Sequence, residues 1–176
     1  QPKNSNSLLS AAVNDLRRQN VTTVDPVNPA YSVQTGEVRS RGLELEARTS
    51  LARNLDLIAA YSYTDARVTQ SNTPAELGTR FRAPYHLFSL WTDYSLGGLG
   101  LQGWRIGGGV RHSSDNPGNY NGGKATPGFT LFDLRVSYER GPMSYALNVK
   151  NLTDRKYISG EGYFCGCRYG VPSTVT

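Results

Sequence analysis

Between Gly36 and Arg67 the residues alternate in character over a longer distance than a soluble strand usually covers, and this pattern restricts the fold more than any other feature. After Arg41, the side chains of Leu43, Leu45 and Ala47 fall on one face of an extended strand, with Glu44, Glu46 and Arg48 on the other. A tight connection is expected near residues 51–54. The chain then resumes with Leu55, Leu57, Ala59, Tyr61 and Tyr63 against Asp56, Ile58, Ala60, Ser62 and Thr64. Each run exceeds the about five or six residues usual in soluble sheets and approaches the roughly nine to eleven that cross a bilayer at a tilt. The pattern points to the wall of a membrane β-barrel.

Composition fits that wall and excludes the helical alternative. With 38% hydrophobic residues, a mean hydropathy of -0.48 and no apolar run near about 18 residues, the 176-residue chain cannot cross a membrane as helices. A barrel escapes this test because lipid-facing and interior residues alternate. The 11 tyrosines suit membrane-water boundaries and the 19 glycines suit turns and crowded walls. The net charge of +5 is spread among acidic neighbours rather than gathered in a block, so no nucleic-acid partner is expected. The chain opens on Gln1 and its single methionine is Met143, so a start and any signal segment are expected upstream.

Taken in order, residues 7–23 alternate imperfectly at Asn14 and Asp15, which leaves a bulged strand or a helix open. The Asp-Pro and Asn-Pro pairs of residues 25–29 mark a loop. Strands are then expected at about 33–50, 55–69, 85–96 and 101–112, followed by one around residues 132–139 and one after Pro142. The last is expected to start at Val171 and to continue past Thr176. The connections run long, short, long, short, long, short, long. In an up-and-down meander all long loops then gather at one end and all short turns at the other, as in outer-membrane barrels. A soluble sandwich has no reason to sort its loops this way.

Several segments carry a more specific likeness. The run YSVQTGEVRSRGLELEA, the segment LFDLRVSY, the run ALNVKNLTDRKYISG and the closing CRYGVPSTVT together resemble the C-terminal barrel of TonB-dependent outer-membrane receptors, in particular the ferrichrome and other hydroxamate receptors. Asn151, Leu152, Asp154, Lys156 and Tyr157 match the motif that ends the family's penultimate strand. Tyr169, Gly170, Pro172, Thr174 and Val175 match the one that begins its last strand, with Ser173 where the family usually has arginine.

The resemblance implies an all-β, transmembrane, antiparallel up-and-down barrel of about 22 strands around a plug, with residues 1–176 supplying about the last eight strands. It also implies that the plug domain and its TonB box lie outside this chain. The implied function is TonB-dependent active transport of ferric siderophores across the outer membrane of a Gram-negative bacterium. The implied partners are the ferric siderophore as transported ligand, the TonB energy-transducing complex acting through the plug, and outer-membrane lipid and lipopolysaccharide. No covalent cofactor and no enzymatic activity are expected. Two other architectures fit the strand count: a complete small eight-stranded barrel serving as anchor or adhesin, and a soluble β-sandwich binding module.

The candidate ligand-binding residues are Tyr120, Tyr163 and Phe164, aromatics in glycine-rich loops at the long-loop end, with loop packing as the alternative. Cys165 and Cys167, one glycine apart, are a candidate disulfide, although so small a ring restricts its geometry. Relatives usually space two cysteines of this loop further apart. A Cys-x-Cys metal site lacks a nearby third ligand, and no metal is expected. His86 and His112, at strand ends, would matter to a heme receptor and otherwise are boundary residues. Glu44, Arg48, Arg105, Arg111, Asp133, Arg135, Glu139 and Lys150 are expected to line the lumen.

Overall fold

The computed structural model describes residues 7–117, 125–161 and 167–176. Alternating sequence becomes one antiparallel meander: β1 (Leu8–Val24), β2 (Ser32–Ala52), β3 (Leu55–Gln70), β4 (His86–Ser95), β5 (Trp104–Ser113), β6 (Phe129–Arg140) and β7 (Met143–Lys150). A two-strand ribbon, β8 (Ile158–Glu161) with β9 (Cys167–Tyr169), occupies the last long connection, and β10 (Thr174–Val175) then pairs with β7. The main sheet therefore runs β1-β2-β3-β4-β5-β6-β7-β10, every strand beside its neighbour in sequence. The first segment is a strand throughout. Its irregularity lies between Arg18 and Thr23, where the register shifts twice around Asn20 at φ 59°, rather than at Asn14 and Asp15. The final strand starts at Thr174 instead of Val171, because Pro172 has no N–H and the Ser173 N–H is taken by Asp154.

Register fixes which residues share a face. Val13, Leu43 and Tyr63 stand opposite one another and lead on to His86, so the odd positions of β1 to β3 continue onto the even positions of β4. The same face carries Leu90, Val110 and Phe132, then Ile106, Val136 and Leu147. The opposite face carries Glu44, Arg48, Arg105, Arg111, Asp133, Arg135, Glu139 and Lys150, as the alternation predicts.

The apolar face is bare. Leu9 is 70% exposed, Val13 84% and Leu147 52%, whereas the only buried hydrophobic side chains among the described residues are Val38, Ala66, Val68 and Leu131. A soluble sandwich would pack that face inward, so the sandwich architecture is excluded. The complete small barrel fails as well: β1 and β10 have no strand on their outer sides among the described residues, and the sheet does not close on itself.

Short turns cluster at one end. Gly141, at φ 58°, and Pro142 join β6 to β7, Arg53 and Asn54 join β2 to β3, and the Ser95 N–H donates to the Asn54 carbonyl, holding two turn regions side by side. The β4–β5 turn is a 3-10 turn over Leu96–Leu99, closed by Gly100 and Gly103 at φ 85° and 81°. The long connections all leave the other end.

Candidate functional site

Two aromatic clusters mark the depth of the apolar face. At the turn end Trp104 and Tyr138 lie 4.8 Å apart between ring centres, with Tyr145 directly across from Tyr138. At the loop end Tyr61, Tyr63, Tyr85 and His86 form a contiguous group, Tyr63 and Tyr85 stacked at 6.1 Å and His86 hydrogen bonded to the Tyr61 hydroxyl at 2.9 Å. Aromatic rings of this kind sit where hydrocarbon meets headgroups. β4 and β5, ten residues each, span the interval between the two clusters. Both histidines lie on this outward face, with the His112 Nδ1 hydrogen bonded to Thr130, so neither reaches the lumen as a heme-binding role would require.

The other face is a polar wall built from interlocked ions. Arg105 bridges Asp56, at 3.0 Å from its Nη2, and Asp93. Arg111 grips Asp133 with two bonds of 2.7 and 3.0 Å, and the Asn151 N–H donates to the same carboxylate at 2.9 Å. Between these groups lies the Trp91 ring. It rests over Gly107 and Gly109, where any Cβ would collide with the indole, so the two glycines are the reason a tryptophan can lie flat on this wall. A recess of about 410 Å³ opens beside it, lined by Arg48, Asp56, Ile58 and Asp93 among others. The Nε of Arg135 is buried and has no hydrogen-bond partner among the described residues.

The loop end is ordered by short polar contacts. Asp25 accepts from the N–H groups of Val27 and Asn28, turning the first long loop. The second, residues 71–85, folds back along β3: the N–H of Gly78 donates to the Val68 carbonyl and that of Phe81 to the Ala66 carbonyl. Glu76 is buried there, hydrogen bonded to Ser71, which in turn contacts Thr23 at 2.9 Å. Arg80 then reaches Asp115 of the third long loop at 2.7 Å.

The matched motif near the chain's end is a structural clasp. Asn151, at φ 51° and only 2% exposed, accepts from the Arg155 N–H at 2.9 Å and donates through its amide to the carbonyls of Arg155 and Val171. Asp154 receives the Ser173 N–H at 2.8 Å, and the Tyr157 ring packs tilted against Phe129, 4.4 Å between ring centres. These bonds pin the end of β7 to the beginning of β10, a role that the motif's spacing alone did not reveal.

Tyr120, Tyr163, Phe164 and Cys165 lie outside the described residues, and nothing described bears on the side chain of Cys167, although its backbone belongs to β9. Among the described residues no group of three or more His, Cys, Asp or Glu side chains could hold a metal ion.

Comparison with known proteins is consistent with a two-faced wall. Residues 2–152 match the family model described as TonB dependent receptor-like, beta-barrel. The ferrichrome outer membrane transporter/phage receptor of Escherichia coli K12 is 31% identical over 184 residues, covering 99% of this chain and 24% of that protein. The ferrioxamine B receptor of Salmonella typhimurium is 34% identical over 182 residues, covering 99% of this chain and 26% of that protein. The chain thus spans about a quarter of the length of these relatives. Among solved structures, the siderophore receptor PiuA from Acinetobacter baumannii superposes with a TM-score of 0.81 at 22% identity, over 96% of this chain and 25% of that one. The ferric-catecholate import receptor Fiu of E. coli K12 gives 0.80 at 22% identity, over 99% and 25%. At that identity the two structures speak to the fold.

Proposed function

The chain belongs to the TonB-dependent receptor β-barrel family, and from that premise we propose that it is the C-terminal part of an outer-membrane receptor for ferric siderophores, supplying about the last eight strands of a barrel of about 22. The observation that carries the reading is the two-faced sheet: a bare apolar face bounded by two aromatic clusters, backed by an ion-paired polar face, with every long loop at one end.

In this reading the apolar face meets lipid and the long loops stand outside the cell. The wall of Arg105, Arg111, Asp133 and Arg135 faces a plug carried elsewhere in the receptor. Transport needs no bond-making by this wall. The chelate is held by loops and plug, and it passes inward when the energising TonB partner pulls on the plug. Rigid ion pairs such as Arg111 with Asp133 keep the wall's shape while the plug rearranges against it. Ligand contact falls to the long loops, with Tyr120, Tyr163 and Phe164 as the aromatic contacts. The similarity to ferrichrome and ferrioxamine receptors favours a hydroxamate chelate. Outer-leaflet lipid and lipopolysaccharide are the remaining partners.

Equilibrium binding of ferrichrome and ferrioxamine B to the full-length receptor containing this chain tests the proposal. Saturable binding of either, weakened in Tyr120→Ala and Phe164→Ala, is the expected result. Failure to bind any ferric siderophore would overturn the iron assignment.

A further inference from the structure

One set of contacts crosses from the lumen-facing wall into the last long connection, and Asp133 is its node. The carboxylate takes the Nε and Nη2 of Arg111 at 2.7 and 3.0 Å on one side and the Asn151 N–H at 2.9 Å on the other. Exposure falls along this line: the Arg111 side chain is 49% exposed on the inner face, that of Asp133 13%, and Asn151 2%. A cation open to the lumen is thus bonded, through a nearly buried carboxylate, to the first residue after β7. Leu131, two residues before Asp133 on the same face, has no exposed surface, so this corner is shielded from water and its hydrogen bonds gain strength. The turn-end lock of Arg105 with Asp56 and Asp93 has no such outlet, because all three lie inside strands.

Asn151 passes the contact on. Its side-chain amide donates to the carbonyls of Arg155 and Val171 at 3.0 and 3.1 Å, and its Oδ1 accepts the Arg155 N–H. Arg155 and Val171 flank the β8–β9 ribbon on either side in the chain. Inside them Tyr157 and Gly170 close the base of the ribbon: the Gly170 N–H donates to the Tyr157 carbonyl at 2.8 Å, and the Tyr157 ring lies where any Cβ on residue 170 would have to go. The same ring packs against Phe129, at the foot of the third long loop. Asn151 itself stands at φ 51°, a left-handed backbone that a non-glycine residue keeps only when its surroundings hold it there. One asparagine therefore ties both feet of the last connection together, and one carboxylate holds that asparagine from outside the turn.

We infer that Asp133 is a positioning residue for ligand recognition: through Asn151 it fixes the feet of the last long connection to the lumen-facing wall at Arg111. This rests on the siderophore-receptor reading above and names the wall residue that sets the loop. Without the carboxylate the Asn151 N–H loses its partner, the turn at residues 151–155 relaxes, and Arg155 and Val171 are no longer held together. The ribbon then meets the chelate in many orientations, and ordering it on binding lowers the affinity.

Amide hydrogen exchange and equilibrium binding of ferrichrome and ferrioxamine B, both on the full-length receptor in detergent, test the role. D133A is expected to speed exchange of the Arg155 and Gly170 amides and to weaken binding of the chelate by about tenfold. D133N keeps an oxygen to accept the Asn151 N–H and should recover most of that loss, a rescue that a general loosening of the barrel would not show. D15A, which breaks an arginine–aspartate pair of the same two-bond form on the outward face, should change neither readout. Unchanged Arg155 and Gly170 exchange in D133A, wild-type affinity in D133A, or D133N behaving like D133A overturns the role. If D133A fails to assemble, N151D is read, because aspartate still accepts the Arg155 N–H but donates nothing to Val171; wild-type affinity there counts against the role. Absence of chelate binding by wild type, with exchange at Arg155 and Gly170 still dependent on Asp133, defeats only the siderophore assignment.

Discussion

The two halves of the sheet share one alternating pattern but end at different heights. β4 and β5 stop after ten residues, at the aromatic clusters. β2 and β3 run for 21 and 16 residues from the same turn end, β1 runs for 17 from a start level with Trp91, and the excess of all three emerges on the loop side. Beyond Tyr63, which pairs with the first residue of β4, β3 continues for seven residues, about 24 Å along the strand. Within the short half the outward face is set by hydrocarbon and admits apolar or small residues. Above it in the tall half the same face turns to arginine and aspartate, and three of the four buried hydrophobic residues, Val38, Ala66 and Val68, gather on the opposite face. Strand length here follows what surrounds the strand: lipid fixes about ten residues, and only folded loops justify more.

The largest expected effect tests the lipid side of that contrast. Leu90→Arg, at mid-depth on the outward face of β4, should destabilise the barrel by about 2–4 kcal/mol in denaturant unfolding from vesicles. Arginine at the equivalent face of the tall half is already native, as Arg39 shows, and Arg39→Leu should not approach that cost. A comparable response from both sites would abolish the distinction between the halves.

Next comes the packing of the short half's inner face. Gly109→Val places a branched side chain against the Trp91 indole, and overpacking of this kind costs about 1–3 kcal/mol. Trp91 must leave the wall, so its fluorescence should shift; an unchanged spectrum would mean that the ring is not held by the glycines. In the tall half Val38→Ala removes two buried methyl-sized groups, worth about 1.5 kcal/mol. Limited proteolysis of the loop at residues 71–85 should speed up in that variant while the membrane-spanning portion stays resistant.

The smallest effect is electrostatic. Asp15, above the apolar band, has its carboxyl lowered to about 2 by its hydrogen bond from Arg39. A depressed folded-state value means that the pair's contribution is fully present above about pH 4 and fades as pH falls toward 2. Carboxyl-carbon NMR of labelled receptor should show Asp15 still ionised at pH 3.5; protonation near pH 4 would show the pair is not formed. Because the carboxylate is exposed, the accompanying change in stability should be slight.

Much of this wall could be read from residue order. The odd-even alternation of Leu43 to Arg48 and Leu55 to Thr64 gave faces that the register keeps, and Arg105, Arg111 and Asp133 lie on the polar side as their parity predicts. The β8–β9 ribbon inside the last loop was not legible, because Ile158–Glu161 is too short to display a period. Nor was the Asn151 clasp, whose partners Arg155 and Val171 sit 4 and 20 residues away. The outward row of Arg17, Arg39, Arg67 and Arg80 was hidden for a related reason: the four are scattered through 64 positions and become neighbours only through register.

By itself the sequence determined the strand pattern, the sorting of loops to one end and the family, since each depends on the order of residues within a segment. Tertiary structure alone decided that β1 to β3 outgrow their neighbours as a folded platform, and which charges meet across strands. The physical reason is that alternation determines which face a side chain takes, whereas contact across the sheet depends on the register between strands, which many segments settle together.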